Sequence, residues 1–155
     1  MTMSDSAVLA LEQALKFESD GREFYLLAAE EAKSALVKAI FLALAEEEGS
    51  HVARVRAIYE ELKNNPGWPE EIAMVAAQTG VVDVFERESS RLPLPSDISV
   101  RGALQKALEL EKEAMEFYNL RLLKASCKAE TAFYKRLVAE ETLHLETLKK
   151  ALGES

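Results

Sequence analysis

Apolar positions in the first part of the chain recur at intervals of three and four residues, not in alternation. From Ser6 to about Lys33 the stripe runs through Ala7, Leu11, Ala14, Gly21, Tyr25 and Ala28, the spacing of one face of an α-helix. A second run, from about Ser34 to Lys63, passes through Val37, Phe41, Leu44, Val55 and Ile58. It ends at Asn64-Asn65-Pro66-Gly67, which supplies both a C-cap and a breaker. So little sequence separates the two runs that the helices must pack antiparallel.

The character of the chain changes between about residues 64 and 98. This stretch holds all four prolines, Pro66, Pro69, Pro93 and Pro95, and two of the six glycines, so it reads as a long connection. It need not be structureless. Pro69 followed by Glu70 and Glu71 suits the first turn of a short helix, and Val81 to Arg91 suits another. A third long helix is expected from about Ser99 to Ala125, and a fourth from about Lys128 to Leu152 with Gly153 just past its end.

A shift of 93 residues lays the chain on itself without a gap. Glu18-Ser-Asp-Gly-Arg-Glu-Phe-Tyr25 falls on Glu111-Lys-Glu-Ala-Met-Glu-Phe-Tyr118, and Glu47-Glu48-Gly-Ser-His51 falls on Glu140-Glu141-Thr-Leu-His144. Two hairpins of one design can be related by a two-fold axis only if the connection carries the chain back along helices of roughly 40 Å, which it is long enough to do. The expectation is an all-α, ferritin-like four-helix bundle: two antiparallel helical hairpins joined by a long crossover. With 155 residues, 48% of them apolar, one domain spanning residues 1–155 is expected.

On each long helix a carboxylate interrupts the apolar stripe. Glu18 lies between Ala14 and Tyr25, Glu48 between Leu44 and Val55, Glu111 between Ala107 and Tyr118, and Glu141 between Leu137 and Leu148. Four inward carboxylates repel one another strongly unless cations balance them, and two divalent ions match their charge. The chain has only two histidines, and each follows one of these glutamates by three residues, on the same helical face. A glutamate on a Glu-rich helix is usually solvated, as Glu46 and Glu47 are expected to be, and a lone histidine on an apolar face is usually core. As a repeated set, Glu18, Glu48, His51, Glu111, Glu141 and His144 are the expected ligands of a two-metal site. Carboxylate and imidazole suit iron, manganese or zinc; two iron ions are favoured because redox chemistry needs a metal that changes oxidation state.

Tyr25 and Tyr118 follow Glu18 and Glu111 by two turns, so their hydroxyls are candidates to hydrogen-bond a ligand carboxylate on another helix, or else to be core aromatics with a polar end. Gly21 and Ala114, one turn from the same glutamates, are small enough to leave a pocket for peroxide or dioxygen or to allow close packing. Phe24 and Phe117 read as core. Trp68 reads as an anchor for the connection, on the bundle or on a partner subunit, and Cys127 as an inert side chain at a helix start.

Charge narrows the field further. A net charge of −8 and a sequence pI near 4.9 disfavour nucleic acid and anionic membrane as partners. Neither a basic leader with an apolar run nor a stretch of about 18 apolar residues is present, so a cytoplasmic location is expected. One cysteine cannot form an internal disulfide or a four-cysteine metal centre.

At these motifs the sequence resembles the rubrerythrin family of ferritin-like diiron proteins, over nearly the whole chain. Glu18 to Tyr25 and Glu111 to Tyr118 resemble the family's first and third helix motifs, and Glu48 to His51 and Glu141 to His144 its paired Glu-x-x-His motifs. The resemblance implies a non-haem diiron centre that reduces hydrogen peroxide or reacts with dioxygen in protection against oxidative stress. Two departures accompany it. Ala114 stands where typical members carry an additional glutamate, and no rubredoxin domain accompanies the ferritin-like part, so electrons are expected from a separate donor such as a rubredoxin-like protein. Two other functions fit the same ligands: a non-enzymatic protein for iron handling, and a bundle clamped structurally by zinc. A homodimer is expected, with or without exchange of hairpins.

Overall fold

The computed structural model describes residues 3–65, 67–69 and 80–154, with side chains from residue 5 onward. Its elements are α1 (Met3–Glu31), α2 (Ala35–Asn64), α3 (Gly80–Ser89), α4 (Ile98–Leu123) and α5 (Lys128–Ala151), and among the described residues there is no strand. Helices α1 with α2 and α4 with α5 form two antiparallel hairpins; α1 also packs on α4, and the short crossover helix α3 lies against α2 and α5. The fold is thus an all-α, ferritin-like bundle.

Several ends are fixed by residues visible in the sequence. Ser34 is the N-cap of α2, its hydroxyl accepting from Val37 N at 3.2 Å, so α1 stops at Glu31 and the break falls two residues before the expected one. Asp97 caps α4, accepting from Ser99 N at 2.8 Å and Val100 N at 3.3 Å. At the end of α5, Gly153 takes a φ of +81°, Gly153 N donates to Lys150 O and Glu154 N to Lys149 O, the pair of bonds of a Schellman ending. The short helix expected over Val81–Arg91 is α3, at whose end Arg91 N and Leu92 N both donate to the Glu88 carbonyl. The helix expected after Pro69 lies outside the described residues. Trp68 stacks on Phe133 (ring centroids 5.5 Å apart) and Tyr134 (6.0 Å), which ties the connection to its own bundle.

The core divides into two apolar clusters. One contains Ile40, Phe41, Leu44, Leu104, Ala107, Leu148 and Ala151, joined by Val81 from α3. The other contains Leu11, Ala14, Val55, Ile58, Phe133, Tyr134 and Leu137. The 93-residue shift exchanges them: Leu11 corresponds to Leu104, Ala14 to Ala107, Leu44 to Leu137 and Val55 to Leu148. A pseudo-two-fold axis therefore passes between the clusters, through the layer where the sequence puts its inward glutamates and histidines.

Because Leu11 and Leu104 are both fully buried, one in each cluster, Leu11→Ala and Leu104→Ala are each expected to cost about 2–5 kcal/mol in denaturant unfolding. A cost near zero for either would show that its cluster is not a packed core.

Candidate metal centre

Each long helix sends its interrupting carboxylate into the layer between the clusters, because the residues one and two turns away along the same face are locked in the apolar core. Glu18, Glu48, His51, Glu111, Glu141 and His144 are all buried, none more than 4% exposed. Their donor atoms form two groups, each able to bring four atoms within 4.8 Å of one another: Glu18, Glu48, His51 and Glu141 in one, Glu48, Glu111, Glu141 and His144 in the other. Glu48 and Glu141 belong to both. Each group thus has one histidine, one glutamate of its own and two shared carboxylates.

The histidines turn the same edge inward. His51 Nδ1 lies 3.2 Å from Glu18 Oε2 and 3.4 Å from Glu141 Oε1. His144 Nδ1 lies 3.4 Å from Glu111 Oε1, 3.3 Å from Glu48 Oε1 and 3.5 Å from Glu141 Oε2. The rings stack nearly parallel, 5.8 Å apart.

The donors fit metal cations on two observations. Among the described residues, both oxygens of Glu141, Glu48 Oε1 and His144 Nδ1 are buried without a hydrogen bond of good geometry. Each such orphan costs about 1–3 kcal/mol unless something fills its place. The protonation pattern of the chain alone is also strained. Burial, then repulsion from Glu18 and Glu141, pushes Glu48 well above the carboxylate range. Burial acts likewise on Glu141, yet the two imidazoles hold it at about 2. Burial would lower both histidines, but the surrounding carboxylates raise them well above their ordinary value. Protons here do the work that bound cations do in a carboxylate and imidazole cage.

Around these six residues lies a symmetric set of supports. Tyr25 donates to Glu111 Oε1 at 2.6 Å and Tyr118 to Glu18 Oε1 at 2.7 Å, each across from α1 to α4 or back. On the outer edges of the rings, His51 Nε2 meets Glu140 Oε2 at 2.5 Å and His144 Nε2 meets Glu47 Oε2 at 3.4 Å. Glu140 is held in turn by Arg54 at 3.2 Å and Arg136 at 3.0 Å, and Glu47 by the amide of Val81 at 3.3 Å. A carboxylate behind the imidazole fixes the ring and strengthens its inner nitrogen as a ligand.

Glu47 corrects the sequence expectation of a solvated residue. It is 4% exposed, while its neighbour Glu46 is exposed as expected. Burial comes from the start of α3 and from His144 on the other hairpin, neither of which helical periodicity reveals. Glu140 was missed in the same way. The available signal was the repeat, which places a glutamate directly before the inward one in both hairpins. At Gly21 an added Cβ would lie 3.7 Å from Glu48 Oε2, ordinary contact, so this glycine opens little space beside the carboxylate. Cys127 is exposed and makes no side-chain capping bond at the start of α5.

Fold and site together define a helical bundle with a buried carboxylate and histidine cluster suited to metal binding. The Rubrerythrin family model matches residues 10–152, and the chain belongs to the Rubrerythrin family. No curated protein and no solved structure matches it. Among the described residues, no helix is long and apolar enough to cross a membrane.

If Glu140 and Glu47 position the imidazoles, Glu140→Gln and Glu47→Gln should each lower metal affinity by roughly 10–100-fold without loss of helix content. Competition with a chromophoric chelator measures this, and unchanged affinity would assign both residues to packing alone. In the metal-free protein His51 and His144 hold protons that the unfolded chain releases above its ordinary imidazole value. Their stabilisation is therefore complete below about pH 6.5 and is lost as pH rises through the raised folded values, at up to about 1.4 kcal/mol per pH unit for each ring. Melting temperatures of the metal-free protein should fall as the pH rises above about 6.5; a rise would contradict the raised values.

Proposed function

We propose that the protein is a cytoplasmic non-haem diiron oxidoreductase that reduces hydrogen peroxide, or dioxygen, with electrons from a separate donor protein, in protection against oxidative stress. The observation that carries this reading is the pair of overlapping four-residue groups that share Glu48 and Glu141. Shared carboxylates suit two cations side by side, and two redox metals giving one electron each match the two electrons that cleave an O–O bond. Glu18 and His51 would hold one ion, Glu111 and His144 the other, with Glu48 and Glu141 between them. When bound, a pair of ferrous ions supplies the two electrons that reduce peroxide to water.

The chain's own residues carry out the remaining tasks. The hydroxyls of Tyr25 and Tyr118 orient Glu111 and Glu18 and keep a proton within reach of each carboxylate. Glu140 and Glu47 hold the histidines with Nδ1 inward. The apolar clusters above and below keep bulk water from the layer and strengthen every charge interaction in it.

A second reading, iron handling with little turnover, is favoured by Ala114. This buried small residue stands where the family resemblance calls for an extra carboxylate, and its absence leaves the two halves of the ligand set alike. Zinc in a purely structural role fits the same donors.

Loading the anaerobically purified protein with ferrous iron separates these readings. Binding of about two irons per chain, oxidised much faster by peroxide than by oxygen and reducible again, is the outcome expected of the peroxidase. Slow oxidation that is not repeated would favour iron handling, zinc retained in preference to iron would favour a structural role, and no stoichiometric metal would sink the site.

A further inference from the structure

The pseudo-two-fold axis relates Tyr25 to Tyr118, and each packs on the ring that the repeat places next to it: Tyr25 on Phe41 at 5.7 Å and 33°, Tyr118 on Tyr134 at 6.2 Å and 31°. The two pairs have one geometry but not one chemistry, since phenylalanine occupies the position in the first half and tyrosine in the second. The tyrosine hydroxyl gains nothing in packing. Tyr134 is fully buried; among the described residues its hydroxyl makes no well-formed hydrogen bond, and the Arg121 guanidinium beside it offsets only part of the burial cost that Phe41 avoids at the equivalent place. The only tryptophan of the chain, Trp68, packs on this tyrosine, at 6.0 Å, and not on the phenylalanine half. It is partly exposed and borders an open groove of about 480 Å³ alongside Arg121 and Lys124.

Phenylalanine resists one-electron oxidation; tryptophan and tyrosine do not. We infer that Trp68, Tyr134 and Tyr118 form a one-electron relay between the protein surface and the metal centre, entering the centre through the 2.7 Å hydrogen bond from Tyr118 to Glu18. This rests on the diiron reading above. An electron leaves Tyr118 for the oxidised centre while its hydroxyl proton moves to Glu18 Oε1. Trp68 refills Tyr118 across the Tyr134 ring, the proton returns, and a one-electron reductant at the surface restores Trp68. The balance is one electron carried from external reductant to centre, with every side chain unchanged. The relay delivers electrons to the oxidised centre one at a time, each supplied by the reductant at the surface. Among the described residues the first half of the bundle offers no such route, because Tyr25 is backed by Phe24 and Phe41.

The unique tryptophan makes the test direct. The full chain is loaded with zinc, which holds the centre without exchanging electrons, and its zinc content reports on the metal site independently of the relay. Azide radicals generated by pulse radiolysis then oxidise Trp68, and absorbance follows the indolyl radical into a tyrosyl radical. Transfer is expected to be first order and independent of protein concentration in the parent. In Tyr134→Phe it should slow by at least roughly tenfold, the change that goes with about 1.4 kcal/mol of added barrier. Tyr118→Phe should reduce the yield of tyrosyl radical. Tyr59→Phe, which removes a hydroxyl bonded to Glu12 from a ring of the same cluster that pairs with none of the three relay rings, should change neither. Circular dichroism of the variants checks that they fold. An unchanged rate in Tyr134→Phe, or transfer that depends on protein concentration, would overturn the relay even if zinc binds as expected.

Discussion

Four glutamates in one buried layer set the terms for the rest of this structure. Two like charges about 4 Å apart repel by roughly 4 kcal/mol at the dielectric of a protein near its surface, and more in a dry interior. The chain places them there with a packed apolar cluster on either side, so the layer cannot open to water without breaking the core. Only positive charge inside the layer relieves the repulsion. Two imidazoles supply part of it by holding protons, and Glu48 relieves more by staying protonated. Divalent cations relieve it more completely, and they displace those protons as they bind. Folding and metal loading are therefore linked: a cation at about a hundred times its dissociation constant adds roughly 2.7 kcal/mol per site.

That constraint explains why so much of the site was legible in the sequence. An inward glutamate in an apolar stripe is an anomaly at each of four positions, and the 93-residue repeat turns four anomalies into one pattern. The helical spacing and caps are local properties, so Ser34, Asp97 and Gly153 mark their ends without reference to the rest of the fold. Glu47 and Glu140 were not legible in this way. Each lies next to an inward residue, about 100° around the helix, where periodicity alone says solvent. What buries Glu47 is the start of α3 and a histidine from the other hairpin, and what buries Glu140 is His51 with Arg54 and Arg136. Tertiary neighbours decide such edge positions, and the stripe of a single helix does not contain them. The helical character of the connection was partly legible, since α3 carries its own apolar residue, Val81, into the core.

Internal symmetry shapes the chemistry as well as the fold. Each hairpin contributes a glutamate, a Glu-x-x-His pair and a tyrosine, and the axis makes every contact in the layer occur twice. Tyr25 reaches Glu111 as Tyr118 reaches Glu18; His51 meets Glu140 as His144 meets Glu47. A site made this way needs only one hairpin design to be right, and the crossover needs only to bring the second copy back in register. Hairpins that can each bury an apolar face only against another are also committed to each other, so assembly of the layer and closure of the core are one event.

The departures from symmetry lie outside the six inward residues, and they make the two halves chemically unequal. Behind His51, Glu140 is shared with two guanidinium groups; behind His144, Glu47 receives a backbone amide from α3. A carboxylate neutralised by two arginines and one bonded to a neutral amide do not pull equally on an imidazole proton, so the inner nitrogens of the two histidines differ in donor strength although their immediate surroundings match. The ring behind Tyr118 carries a hydroxyl and the ring behind Tyr25 does not. Both differences arise where α3, the connection or an edge arginine touches one half of the bundle, because a single crossover cannot cover both halves alike. An intramolecular two-fold axis thus gives a near-symmetric layer of carboxylates and imidazoles, and the crossover that makes the axis possible prevents its two halves from being equivalent.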